Sequence, residues 1–197
     1  MSFDKTITFF VNAVQENKLL SEEDICKMKY GMQVTSNEVI KILIFLLLFG
    51  TIRKLDAFIL SFLVLATVRS FAGGLHFYRW SSCFLFSLAF FITNILILPN
   101  IVVINNSLVY YIVVLFSIII TLLFAPKPSK HRPVTQKKYI YKAKGTAFIV
   151  TLTWLLVLFT FFKYSQLFSI GIWTVTLQNI QLMISGGLKH EKNVKIV

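Results

Sequence analysis

Residues 69–99 read RSFAGGLHFYRWSSCFLFSLAFFITNILILP. The second half, 81–99, is a nearly unbroken apolar run, close to the ~20 residues a helix needs to cross a bilayer's hydrocarbon core. The first half puts Arg69, the pair Gly73-Gly74 and His76 into a short gap, and Cys83 stands where the apolar run begins. A thiol and an imidazole suffice for nucleophilic catalysis if the fold joins them: the imidazole takes the thiol proton and the thiolate attacks a carbonyl. Lipid-length hydrocarbon broken by polar gaps sets the fold class as all-α, a polytopic membrane helix bundle.

Composition agrees. Hydrophobic residues make up 56% of the 197 residues and the mean hydropathy is +0.75, above the apolar share of a soluble domain. Between Asp56 and Glu191 there is no Asp or Glu. That stretch therefore cannot build a paired-carboxylate acid–base site or a carboxylate-bound metal. Cys26 and Cys83 are too few for a disulfide framework. With two thiols and no nearby carboxylate, neither a zinc site nor any cofactor is expected. No short basic region precedes an apolar core at the N-terminus, so no cleavable signal peptide is expected.

Outward from the opening stretch, the chain divides into three. Residues 1–37 carry Phe3, Ile7, Phe10, Val11 and Val14 at helical spacing, which predicts an interfacial amphipathic helix. Ser21-Glu-Glu-Asp24 resembles a capping box opening a second short helix with Ile25, Met28 and Met32 on one side. Residues 38–185 form the transmembrane bundle, and 186–197 a tail. Spans are expected over 81–99, 107–125, 146–163 and 165–185. Two shorter ones, 38–52 and 57–68, flank Arg53-Lys-Leu-Asp56, making six in all.

The segment 126–145 holds Lys127, Lys130, Arg132, Lys137, Lys138, Lys142 and Lys144 and no acid, so it reads as a cytoplasmic loop. Counting spans from it puts Arg69–Trp80 and both termini on the cytoplasmic side, with Asn100, Asn105 and Asn106 outside. Arg53 and Lys54 fall on the wrong side of that count, which leaves a re-entrant or interfacial course open for 38–68.

Blander readings stand beside these. A lone Cys in an apolar helix is commonly a small core residue. Gly73-Gly74 suits close helix packing. The basic loop suits topogenesis and anionic headgroups, and its tethering between spans argues against nucleic acid. Geometry adds a constraint: in one continuous helix His76 and Cys83 would share a face but lie ~10.5 Å apart along the axis, beyond the ~3 Å reach of proton transfer. A working pair therefore needs a helix break. Gly73-Gly74 can make one, and Ser81 or Ser82 can cap the next helix, with Cys83 in its first turn. There the dipole and free N–H groups favour a thiolate and offer an oxyanion hole.

The pattern Arg-x-x-Ala-Gly-Gly-x-His-x6-Cys, met by Arg69, Ala72, Gly73, Gly74, His76 and Cys83, resembles the accessory gene regulator protein B (AgrB) family of membrane cysteine endopeptidases of Gram-positive quorum sensing. The likeness extends to Tyr30-Gly31, Ala125-Pro126 and Lys130-His-Arg-Pro133. The resemblance implies cleavage of a pheromone precursor through an acyl-thioester, followed by cyclisation to a thiolactone or lactone. It implies Cys83 as nucleophile and His76 as general base and then acid, with Arg69 and Gly74 as further motif positions. It also implies a precursor with an acidic C-terminal tail, for which Lys130, Arg132, Lys137 and Lys138 are the candidate acceptors, a homodimer, and the cell membrane of a Gram-positive bacterium. The alternative is a non-catalytic membrane assembly partner or small transporter subunit, which should tolerate Cys83→Ala.

Overall fold

The computed structural model describes residues 2–16, 21–75, 79–101, 107–126 and 137–194. The chain divides into two compact units, Met1–Arg53 and Lys54–Val197.

The first unit is a pair of helices, α1 (Ser2–Glu16) and α2 (Glu22–Thr51). The two apolar stripes read from the sequence face each other: Ile7 and Val11 of α1 and Ile25 of α2 are buried together, with Val14, Met28 and Met32 beside them. Ser21 caps α2 as its spacing predicts, accepting from the Asp24 amide at 3.3 Å while its hydroxyl donates to the Asp24 carboxylate at 2.7 Å. Beyond the cap the structure corrects the expectation. The short helix expected at Ser21 and the span expected over 38–52 are one helix of 30 residues. The boundary read at 37/38 thus falls inside a helix. Thr35-Ser36-Asn37 resembles punctuation, yet each residue costs only a few tenths of a kcal/mol in a helix, and none is a proline. Once a helix is nucleated, propagation passes over such a step.

The second unit contains α3 (Leu55–Ala72), α4 (Trp80–Ile92), a π-helical turn (Thr93–Ile97), α5 (Leu98–Ile101), α6 (Ser107–Phe124), α7 (Lys137–Phe161) and α8 (Gln166–Val194). No strand occurs among the described residues. The chain runs as a single rod from Trp80 to Ile101, and the π turn has an identifiable cause. Pro99 has no N–H, and in a regular helix its ring would strike the Ile95 carbonyl. The ladder widens just before it, the Leu98 amide bonding the Thr93 carbonyl.

Helix α8 is the hub, packing against α3, α6, α7, α5 and the π turn. Its Ile172, Val175 and Leu182 are buried with Val64 and Val68 of α3 and Leu158 of α7. Gly171 permits the close approach of α7, because a Cβ there would overlap the Leu158 side chain. Polar side chains add links between helices. Trp154 Nε1 donates to Thr67 Oγ1 at 2.6 Å, and Thr121 Oγ1 donates to Asn179 Oδ1 at 3.2 Å. Asn94, turned inward by the π turn, donates to Ser61 Oγ at 2.7 Å and Thr174 Oγ1 at 2.6 Å. Such bonds contribute about 0.6–2 kcal/mol each in a bundle.

Among the described residues, five helices are long and apolar enough to cross a membrane: Glu22–Thr51, Leu55–Ala72, Trp80–Ile101, Ile140–Phe161 and Gln166–Ser185. Leu108–Phe124 is a sixth, shorter apolar helix. The expected all-α membrane bundle is what the chain forms. The weights shift: the two spans read as short lengthen, because α3 includes Asp56 in its first turn and Arg69 in its last. Both charges oppose the helix dipole there and are favourable. The segment read as a loop over 126–145 also shortens, since α7 starts at Lys137. Lysine and alanine are good helix formers, and there is no proline between Lys137 and Gly145.

Candidate active site

Helix α3 ends where the sequence predicts a break. Gly73 follows Ala72 with φ 83° and ψ −160°, a conformation that essentially only glycine adopts. The turn is held from several sides. The Gly73 amide donates to the Arg69 carbonyl at 2.9 Å, and the Arg69 guanidinium reaches forward to donate to the Leu75 carbonyl. From α8, Gln178 Nε2 donates to the Gly73 carbonyl at 2.8 Å and Ser185 Oγ donates to the Gly74 carbonyl at 3.4 Å. Three consecutive carbonyls just past the end of α3 are therefore each satisfied by a side chain.

Helix α4 resumes at Trp80 after an extended Arg79 cap, with φ −93° and ψ 133°. Neither Ser81 nor Ser82 caps it, contrary to the expectation. Both are already inside the first turn, and Trp80 stacks on Phe84 one turn later with ring centroids 5.3 Å apart. Arg79 makes no side-chain cap bond and the first turn has no acid. Cys83 closes that turn, its amide donating to the Arg79 carbonyl at 3.1 Å. Its N–H is thus engaged, and the amides without an intrahelical acceptor are those of Trp80, Ser81 and Ser82. Cys83 is partly exposed and in no disulfide; Cys26 is exposed on α2.

Of the other residues singled out from the sequence, His76 lies outside the described residues, and with it the His76–Cys83 separation. Lys130 and Arg132 lie outside them too. Lys137 and Lys138 belong to the first turn of α7. Arg69 and Gly74 sit at the turn: a Cβ on Gly74 would be 3.5 Å from Gln178 Nε2 and 3.7 Å from Arg69 Nε. The sequence reading missed Gln178 and Ser185. Their signal is a polar row, Thr174, Gln178, Gln181 and Ser185, at helical spacing within an apolar span.

Comparison with known proteins sets the break in context. The model of the family described as Accessory gene regulator B matches residues 7–182. An AgrB-like protein of Clostridium beijerinckii is 28% identical over 184 residues, covering 92% of this chain and 89% of that protein. The Accessory gene regulator protein B of Staphylococcus saprophyticus subsp. saprophyticus is 30% identical over 175 residues, covering 86% of this chain and 88% of its own length. No solved structure matches the chain. The match takes in α2 through most of α8 and the whole glycine turn, so the chain belongs to the accessory gene regulator B family.

Proposed function

We propose that this protein is a membrane-embedded cysteine endopeptidase that processes a quorum-sensing pheromone precursor, with Cys83 as nucleophile and His76 as its base. Family membership supports a role in quorum sensing. The observation that carries the enzymatic reading is the broken helix. An over-determined glycine turn ends α3 at Ala72, and Cys83 closes the first turn of the next helix beside amides with no intrahelical acceptor.

The steps rest on those groups. His76 takes the Cys83 proton, and the thiolate attacks the scissile carbonyl carbon, forming a C–S bond and an oxyanion. The amides of Trp80, Ser81 and Ser82 are the donors on α4 available to that oxyanion. Collapse breaks the C–N bond, the imidazolium gives its proton to the leaving amine, and the N-terminal fragment remains as a thioester on Cys83. A thiol of the precursor, giving its proton to the now neutral His76 imidazole, then attacks that carbonyl. One thioester replaces another at nearly equal energy, so the ring closes as a thiolactone and Cys83 leaves as thiolate. With a hydroxyl in its place the product is a lactone. Water is the competing nucleophile, and a site at the bilayer edge excludes it.

In this reading both termini and the site face the cytoplasm, the protein works as a homodimer, and the basic segment before and within the start of α7 receives the precursor's acidic tail. The test is incubation of the protein in lipid nanodiscs with its matched precursor. A covalent adduct released by hydroxylamine is expected, and Cys83→Ala should form none while Cys26→Ala retains activity. Normal cleavage by Cys83→Ala would return the chain to a non-catalytic role.

A further inference from the structure

Three fully buried side chains meet inside the second unit: Ser61 of α3, Asn94 of the π turn and Thr174 of α8. Their partners settle which group donates to which. Thr174 Oγ1 donates to the Ile170 carbonyl at 2.8 Å, so towards its other neighbours it can only accept. Ser61 Oγ therefore donates to it at 3.0 Å, and Asn94 Nδ2 donates to it at 2.6 Å. Ser61, its proton committed, accepts from Asn94 Nδ2 at 2.7 Å. One carboxamide thus grips α3 and α8, using both of its hydrogens.

Asn94 belongs to the rod that carries Cys83. Along the rod Phe90, Phe91, Asn94 and Ile95 are buried, and no residue from Trp80 to Ala89 is. The π turn packs on both α3 and α8. Beside it Phe91 meets Phe58 of α3 edge to face, with ring centroids 5.0 Å apart. Apolar contact of that kind is non-directional and permits sliding. Hydrogen bonds of 2.6 and 2.7 Å to two helices at once do not.

Spacing connects this pin to the site. Cys83 precedes Asn94 by eleven residues, and Ala72, the last residue of α3, follows Ser61 by eleven. Each arm is therefore ~16.5 Å of helix at a rise of 1.5 Å per residue. Two equal arms lead from one pin to the two sides of the break. The rod is regular α-helix through Ile92, and eleven residues make nearly three full turns. Cys83 accordingly returns to within ~20° of the face on which Asn94 stands.

We propose that Asn94 is the positioning residue for Cys83, fixing the height and rotation of the rod against the two helices that hold the glycine turn. This rests on the proteolytic reading. The turn is itself tied between α3 and α8 by the Gln178 bond to the Gly73 carbonyl, so pin and turn share one frame. A slip of one residue would move the thiol ~1.5 Å along the rod and ~100° around it. Asn94 touches neither substrate nor thiol; it acts through the helix between.

The experiment compares Asn94→Leu, the pair Ser61→Ala/Thr174→Val, and Thr67→Val with wild type, in a Cys26→Ala background, in nanodiscs with the matched precursor. Asn94→Leu keeps the volume and removes both bonds. Its kcat should fall ~100-fold with KM within about threefold, since a misplacement of about 1 Å suffices for such a loss. Combining it with Ser61→Ala/Thr174→Val should cost no more than Asn94→Leu alone, because both act on one pin. Thr67→Val controls for interhelical bonding as such. It removes the 2.6 Å bond from Trp154 that joins α7 to α3, and kcat should stay within about threefold of wild type.

A second readout follows position directly. Spin labels on Cys83 and on Tyr164→Cys, at the exposed link between α7 and α8, report the distance from the rod to the start of α8. Asn94→Leu should shift or broaden that distance distribution by about 1.5 Å or more, and Thr67→Val should not. If Asn94→Leu fails to accumulate in membranes, Ser61→Ala/Thr174→Val replaces it, with the same loss and the same shift expected. The proposal is overturned if kcat of the variant that accumulates stays within about threefold of wild type. A fall in kcat with the distance distribution unchanged also overturns it, and leaves Asn94 as a bond that only steadies the bundle. Cys83→Ala, run in parallel, separates the two claims. If it cleaves, the proteolytic reading falls; if it is inactive while Asn94→Leu keeps its kcat, only the Asn94 assignment falls.

Discussion

Helices α2 and α4 begin in opposite ways. At α2 every device that settles a helix N-terminus is present: Ser21 caps the Asp24 amide, and Glu22, Glu23 and Asp24 fill the first turn with negative charge. At α4 none is. The cap is Arg79, its side chain bonds no amide, and the first turn is Trp80-Ser81-Ser82-Cys83 without an acid. A capped start stabilises a helix by about 0.5–2 kcal/mol, and first-turn acids add about 0.3–1 kcal/mol each. The chain uses both at α2 and neither at α4. Among the described residues no side chain answers the first amides or the positive dipole end of α4, which is what the proposed oxyanion site draws on.

The sharpest way to break that comparison is to give α4 what α2 has. Arg79→Asp should cap α4 by accepting from the Ser81 or Ser82 amide, and so raise the thermal stability of the nanodisc-held protein. If Cys83 acts as proposed, the same carboxylate would compete with the oxyanion for those amides and repel the attacking sulfur. Cleavage should fall ~100–1,000-fold, the range for losing one oxyanion donor. A variant that gains stability and keeps its kcat would mean these amides do no catalytic work.

The next effect lies on the α3 side of the break. Gly73→Ala puts a side chain where φ is 83° and ψ −160°. Forcing that conformation costs about 1–3 kcal/mol, or the turn shifts and takes the Gln178 and Arg69 contacts with it. A loss of ~10–100-fold in kcat is expected. Gly74→Ala is the matched control. Its Cβ would meet Gln178 Nε2 at 3.5 Å and Arg69 Nε at 3.7 Å, which is ordinary contact, so activity should change by less than about threefold. If the two alanines behave alike, the turn is not held as its hydrogen bonds imply.

A smaller effect is expected at the capped start. Ser21→Ala removes the bond to the Asp24 amide and should cost about 1 kcal/mol of stability, read as a lowered melting temperature, without changing kcat for the precursor. Lost activity at unchanged stability would show that the start of α2 also serves the reaction.

The range of the forces involved decides which features the sequence discloses. The break after Ala72 is legible because glycine's freedom is local and because an unbroken helix would hold His76 and Cys83 apart. The start of α2 is legible for the same local reason, since Ser21 and Asp24 are close neighbours in the chain. The continuity of α2 is not, because Thr35-Ser36-Asn37 imitates a boundary at the level of propensity while helix propagation overrides it. Pro99 marks a disturbance, but nothing local says that the turn before it brings Asn94 to Ser61 and Thr174 across the bundle. Gln178 and Ser185 are furthest from view. Their bonds to the turn span 105 and 111 residues, and periodicity shows that a polar face exists without showing what it meets.

The third helix start completes the comparison and carries the smallest single effects. Helix α7 opens at Lys137 with Lys138 next and no acid in its first turn, so cations stand at the positive end of the dipole. That arrangement costs the helix about 0.3–1 kcal/mol per charge, and it repeats the acid-free first turn of α4. An anionic peptide tail binding there would relieve both the lysines and the dipole. One pair between exposed charges is worth ~0–1 kcal/mol, so Lys137→Gln alone should raise KM less than about threefold. Replacing Lys130, Arg132, Lys137 and Lys138 by glutamine together should raise KM ~10-fold or more and flatten its dependence on salt. In wild type, added salt should raise KM, because the Debye length is only ~8 Å at physiological ionic strength. The competing role is topogenic, since a basic segment is held on the cytoplasmic side by its charge alone. A reporter fused after residue 145 separates the two. A quadruple variant that keeps its orientation and binds precursor as tightly as wild type at low salt would leave the start of α7 with no part in recognition, and the comparison would then rest on α2 and α4 alone.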